Sequence, residues 1–205
     1  MTARDKEKRR SELLAARRAL SESERRAESE RLRGHLAEVA GDDDIVCAYL
    51  PVGTEPGSSE LLDELAARCR TVLLPVVRIG PGGEHLPLRW GRYVPGRLVA
   101  GRFGLHEPEG PWLSAAAIAD AAVVLVPALA VDRRGVRLGR GGGFYDRSLP
   151  LCRPGTRLVA VVRDCELVGE LPGEPHDVPM THALTPARGL VRLGECPPAD
   201  GGSST

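Results

Sequence analysis

What this 205-residue chain has little of narrows its role before any motif is read. Its 28 lysines and arginines are balanced by 28 aspartates and glutamates, so no net field draws it toward nucleic acid or membrane, and neither is expected as a partner. No apolar run approaches the length of a bilayer span. The opening MTARDKEKRR is charged with no apolar stretch behind it, which argues against a secretory signal and gives a cytoplasmic protein as the expectation. The five cysteines (Cys47, Cys69, Cys152, Cys165 and Cys196) are odd in number and form no CxxC pair. Neither a disulfide framework nor a zinc site is therefore expected, and the cysteines read as small buried hydrophobes. No internal repeat is present. Aromatics make up only 3% of the residues, so an adjacent pair such as Phe144 and Tyr145 carries more information than usual.

What is there suits one α/β domain. Hydrophobic residues at 42% are enough for one good core. Residues 3–40 read as helical, with Leu13, Leu14 and Leu20 giving a partial apolar face. A second helix starts at Ser21, which forms a capping box with Glu24, and Leu32, Leu36 and Val39 mark its buried stripe. Short apolar runs then alternate with helical text. Strands are predicted over 44–50, 71–77, 122–129 and 157–162, and a helix over 58–69. Runs that are apolar on both faces argue for a mostly parallel central sheet flanked by helices, behind an N-terminal helical segment. Residues 78–111, rich in Gly and Pro, read as loops and short strands. Residues 1–195 are taken as one domain and 196–205 as a disordered tail.

The most unusual text is RLGRGGGFYDR, Arg137 to Arg147, with four glycines in five residues between arginines and an aspartate. A glycine-rich loop after a buried strand can turn successive N–H groups onto an anion, and a following helix would add its positive end. Arg137 and Arg140 match that charge. Phosphate is the ligand inferred first, with Asp146 as a magnesium ligand beside it. A Walker A loop would end in Gly-Lys-Ser/Thr, and G-x-G-x-x-G fails at Phe144, so neither a P-loop enzyme nor a dinucleotide binder is indicated. A flexible surface turn is the bland reading, but such a turn has no need of arginines and paired aromatics.

The longer stretch VPALAVDRRGVRLGRGGGFYDR, Val126 to Arg147, resembles the signature of the 5-formyltetrahydrofolate cyclo-ligase (5,10-methenyltetrahydrofolate synthetase) family. Further pieces agree in order: Lys6, Arg10 and LSESER near the start, YLPVGTE with Glu55, GRFGLHEP, and LPGEPHDVPM. The resemblance runs to about Arg192. It implies a fold resembling the NagB/RpiA/CoA transferase-like fold. It also implies ATP- and Mg²⁺-dependent closure of 5-formyltetrahydrofolate to 5,10-methenyltetrahydrofolate by a protein acting as a monomer. The formyl oxygen would attack the γ-phosphate, N10 would attack the activated carbon, and phosphate would leave.

On that resemblance ATP would meet Lys6, Arg10, Arg137, Gly139, Arg140, Gly141, Gly142, Gly143, Phe144 and Tyr145. The folate would meet Arg10, Leu50, Glu55, Phe103 and Tyr145. Arg140 and Tyr145 would be catalytic, and Asp146 and Asp177 would hold Mg²⁺. The sequence departs from the family at Val131, Phe144 and Thr181. The last removes a carboxylate and leaves Asp177 as the second metal ligand.

Each assignment has a plain competitor. Lys6 and Arg10 fit the solvated face of a basic helix, Glu55 an exposed loop, Asp177 a turn cap, and Asp132 a turn residue. His176 is free to act in proton transfer, but nothing demands it. Three other functions compete: a nucleotide-binding regulator on the same scaffold, a sugar-phosphate isomerase, and a nucleic-acid partner working through the N-terminal helix. The isomerase would want a carboxylate base and no ATP. Residues 1–35 carry 11 Lys/Arg against 7 Asp/Glu, too dilute an excess for nucleic acid.

Overall fold

The computed structural model describes residues 3–174 and 177–194; the expected tail, Cys196 and His176 lie outside the described residues. Two helices open the chain, α1 (Ala3–Ala19) and α2 (Glu22–Gly34), followed by the single turn α3 (Leu36–Val39). The break between α1 and α2 is chemical. Ser21 accepts from the Glu24 N–H while the Glu24 carboxylate accepts from the Ser21 N–H at 2.7 Å, which is the predicted capping box.

The strands are β1 (Ile45–Cys47), β2 (Thr71–Val76), β3 (Arg89–Arg92), β4 (Leu98–Ala100), β5 (His106–Pro108), β6 (Val123–Pro127), β7 (Ala130–Asp132), β8 (Arg137–Leu138), β9 (Arg157–Val161), β10 (Leu167–Val168), β11 (His182–Thr185) and β12 (Gly189–Arg192). Two more helices intervene, α4 (Ser59–Arg68) after β1 and α5 (Phe144–Ser148) after β8. The central sheet has the order β12-β11-β9-β6-β1-β2-β3. Its inner five strands are parallel and both edges are antiparallel. A single residue step moves a side chain from one face to the other. Val46, Leu74, Leu125 and Val161 therefore join the core under α2–α4, while Cys47, Leu73, Val124 and Ala160 join the opposite core.

Both faces of the sheet are covered, as expected, but the opposite face carries shorter elements. It is covered by 3-10 turns at Ala115–Asp120 and Leu149–Leu151 and by the five-residue α5, through Ile118, Leu149 and the fully buried Trp90. The cysteines also need a correction. Cys47 and Cys69 are buried, but Cys165 is exposed on the turn before β10, and all four described cysteines are free thiols.

α1 has no continuous apolar stripe; Leu13 and Leu14 are only half-buried, and the side chain it buries completely is Arg17. The Arg17 guanidinium forks onto Glu166 at 2.7 and 2.8 Å and donates to the Ala128 carbonyl at 2.6 Å. Burial opposes its charge, but the Glu166 contacts outweigh that and hold its pKa above the ordinary arginine value. Glu166 also accepts from the Arg163 N–H at 2.8 Å, and the Arg163 side chain reaches Glu28 of α2 and the Thr54 carbonyl.

Chain order locates the ligand crevice. From β1 the chain moves to β2 and β3 on one side, then returns to β6, β9, β11 and β12 on the other. The reversal lies between β1 and β6, and open α/β sheets bind ligands beyond the carboxyl ends of the strands at such a point.

Glu166→Gln keeps the shape but leaves Arg17 buried without a counter-charge. We expect urea unfolding to show a loss of about 3–5 kcal/mol, the size typical for one half of a broken buried pair. A change no larger than that of an exposed substitution would refute this role of the pair.

Candidate functional site

Two cavities meet at this switch point, and the glycine loop is the wall between them. The first, of about 350 Å³, is mainly apolar and lies against Tyr49, Leu50, Pro75, Val77, Leu88 and Phe103. The second, of about 460 Å³, is charged, and is bordered by Lys6, Arg10, Glu174 and Asp177. Arg137, Gly139, Gly141, Gly143 and Asp146 line both.

The loop leaves β8 and enters α5. Gly141 (φ +94°) and Gly143 (φ +68°) adopt left-handed backbone that a side chain would strain. Gly143 starts α5, yet α5 spans only five residues. The help expected from a helix dipole is therefore small. Arg10 donates from Nε to the Gly139 carbonyl at 3.0 Å, tying α1 to the loop.

Every predicted cation of the site has a carboxylate partner. Lys6 pairs with Glu174, Arg10 with Glu7 at 3.1 Å, Arg137 with Asp146, and Arg140 with Glu55 at 3.1 Å. Arg137 is nearly buried, and burial lowers its pKa against the pull of Asp146. Its Nε lacks a hydrogen-bond partner, and its guanidinium carbon lies 5.8 Å from the centre of the Tyr145 ring. The Tyr145 hydroxyl is likewise buried with no partner. Burial, followed by the charge of Glu55, raises its pKa above the ordinary tyrosine value, so it is a protonated donor.

Glu55 stands on a tight turn after β1. Its carboxylate accepts from the Val52 N–H at 3.0 Å, while Tyr49 Oη donates to the Pro56 carbonyl at 2.7 Å. The structure thus gathers Leu50, Glu55, Phe103, Gly142, Phe144 and Tyr145 at the apolar chamber, and Lys6, Arg10 and Asp177 at the charged one; Arg140 borders the apolar side. Phe103 is 68% exposed at the mouth and has positive φ (+58°), a strained conformation for a residue with a side chain. Asp177 accepts from the Glu174 N–H at 2.8 Å, so it does shape a turn as well as border the chamber. Asp132 is fully buried and accepts from the N–H groups of Arg134, Val136 and Leu171, a structural role. Thr181 exchanges hydrogen bonds with the Leu158 backbone, away from both chambers.

Sequence reasoning missed Arg17, Tyr49 and His85. Arg17 had a signal: Lys6, Arg10, Leu13 and Arg17 follow one another at helical spacing, so the face that carries the two site cations continues into the protein. His85 had none, because it sits in irregular text and reaches the loop only through the fold.

The sequence model of the 5-formyltetrahydrofolate cyclo-ligase family matches residues 2–186. A 5-formyltetrahydrofolate cyclo-ligase of Mycolicibacterium smegmatis is 55% identical over 193 residues, covering 94% of this chain and 100% of the relative. That of Escherichia coli K12 is 33% identical over 144 residues, covering 70% of this chain and 78% of the relative. Among solved structures, the Aquifex aeolicus 5,10-methenyltetrahydrofolate synthetase superposes with a TM-score of 0.75 at 27% identity, covering 97% of each chain.

All three tyrosines have pKa values raised mainly by burial, helped at Tyr49 by Glu55 and at Tyr93 by Asp63. The folded pKa exceeds the unfolded one, so this stabilisation is intact below about pH 10 and is lost as pH rises toward the folded values. In an alkaline titration tyrosinate absorbance should rise together with loss of circular dichroism. Tyrosinate appearing in a fully folded protein near pH ~10 would contradict the burial argument.

Proposed function

The chain belongs to the 5-formyltetrahydrofolate cyclo-ligase family, a family of enzymes of folate metabolism, and from that premise we propose that it converts 5-formyltetrahydrofolate and ATP to 5,10-methenyltetrahydrofolate, ADP and phosphate. The observation that carries this reading is the shared wall. One glycine loop borders an apolar chamber suited to a pterin and a charged chamber suited to a triphosphate, so both substrates can meet across it.

In the apolar chamber Glu55 accepts from neighbouring pterin N–H groups, and Leu50 and Phe103 pack on the ring. In the charged chamber Lys6, Arg10 and the loop N–H groups hold the phosphates. The formyl oxygen attacks the γ-phosphorus and ADP departs. N10 then adds to the activated carbon, and phosphate and the N10 proton leave. Phosphoryl transfer depends on positioning and charge stabilisation. Arg137 and Arg140 supply charge, and the unpartnered Tyr145 hydroxyl donates to the oxygen in transit.

Magnesium fits the donor set. Among the described residues no cluster of three or more His, Cys, Asp or Glu side chains could hold a metal. The protein offers Asp146 and Asp177 at the charged chamber, and Mg²⁺ is commonly held by one or two carboxylates plus phosphate oxygens. When bound it would neutralise charge on the triphosphate.

The test is the near-ultraviolet absorbance of methenyltetrahydrofolate in a mixture of protein, 5-formyltetrahydrofolate, ATP and Mg²⁺. Product should require ATP and should fall at least about a hundredfold in Asp146→Ala. Glu55→Gln should raise the folate KM by about 10–100-fold, the size of a lost charged hydrogen bond, with less effect on the ATP KM. ATP binding without product would sink the reading.

A further inference from the structure

A hairpin whose last residue, Leu88, lines the apolar chamber holds the glycine loop from the side. Residues 78–88 fold back through an Ile79–His85 bridge and a Leu86 N–H bond to the Arg78 carbonyl at 3.1 Å. The base of the hairpin is anchored on α5: the Leu88 N–H donates to Ser148 Oγ at 2.9 Å, and Ser148 donates to the Phe144 carbonyl at 2.7 Å. Beyond this anchor, His85 Nδ1 lies 2.5 Å from the Gly142 carbonyl oxygen. Its ring stacks on Phe144 with centroids 4.3 Å apart and planes 15° from parallel, and meets Phe103 edge-on at 6.5 Å.

A carbonyl only accepts, so Nδ1 must carry the proton in this contact. The peptide unit is planar and trans, so the Gly142 carbonyl and the Gly143 N–H point in opposite directions. Gly142 and Phe144 border the apolar chamber alone, whereas Gly143 borders both. With the carbonyl turned toward His85, the Gly143 N–H points away from His85. A peptide between two glycines has little steric resistance to flipping, and its orientation needs an external latch.

We infer that His85 is a positioning residue: its Nδ1–H fixes the Gly142–Gly143 peptide so that the Gly143 N–H faces the triphosphate. This rests on the ATP-dependent reading above. The stack on Phe144 keeps the imidazole in line with the carbonyl, and the Ser148 anchor keeps the hairpin in place.

Two variants separate donor from ring. His85→Asn retains an N–H donor near the Nδ1 position, and His85→Phe retains the stack without a donor. Calorimetric titration with ATP and Mg²⁺ should give a Kd raised about tenfold in His85→Phe and within about twofold of the parent in His85→Asn. The ATP KM should follow the Kd, with kcat little changed. In the parent, ¹⁵N NMR of the imidazole should show the Nδ1–H form. Equal affinity in all three proteins, equal losses in both variants, or an Nε2–H tautomer would each overturn the inference. Because Kd is the readout, a parent that binds ATP without cyclising the folate would sink the cyclo-ligase reading while the His85 comparison still stands or falls by itself. A parent that binds no ATP overturns both.

Discussion

The site depends on the buried contact between Arg17 and Glu166. α1 carries Lys6 and Arg10 but lacks the apolar stripe that would dock it by burial alone, and the side chain it buries most deeply is one guanidinium taken out of water. That guanidinium also holds the carbonyl of Ala128, just past β6. Its partner Glu166 fixes Arg163, and Arg163 holds α2 through Glu28 and the Glu55 turn through Thr54. Three parts of the site that are distant in sequence are thus joined through one carboxylate. Buried pairs often add little net stability over apolar packing, because desolvation offsets the attraction. What this pair contributes is register: it specifies where along α1 the helix docks, and so where Lys6 and Arg10 stand relative to the loop.

The two chambers differ for reasons found in their walls. The apolar one is built from the ends of β1, β2 and β6, whose residues were already apolar because the sheet is covered on both faces. The charged one lies beside α1 and the loop and is bordered by residues 171–174 and by Asp177, where charged side chains stand next to the small core cluster of Leu138 and Leu171. Glycine is what lets one strand of backbone serve both. At Gly142 a Cβ would come within 3.2 Å of the Phe144 ring, so a side chain there would displace the aromatic that His85 stacks on.

Much of this was legible in the sequence. The strands with apolar text on both faces, the Ser21 cap, and the stripe Leu32, Leu36, Val39 follow from local periodicity, and the fold follows from their alternation. The glycine loop and Asp146 stood out because their chemistry is local to a few residues, whereas Glu55 came in only through the family resemblance, its own text reading as an exposed loop. The second layer was less readable. 3-10 turns leave no strong period, so the cover over Trp90 did not register as an element. Arg17 looked like one more charge on a charged helix, since burial of a cation depends on a carboxylate 149 residues away. His85 depends on a hairpin whose docking is decided by Ser148, another non-local contact.

The pairing of each site cation with a carboxylate has a kinetic side. An open cleft rich in unpaired arginines casts a long-range field that gathers anions from solution and speeds encounter, at the cost of gathering every polyanion alike. Here Lys6, Arg10, Arg137 and Arg140 are each neutralised locally, within a chain of zero net charge. Such a site projects little attraction beyond a few ångströms. On the proposed function, an arriving triphosphate would be selected at contact, by whether it can exchange places with the resident carboxylates, and not by being drawn in from a distance.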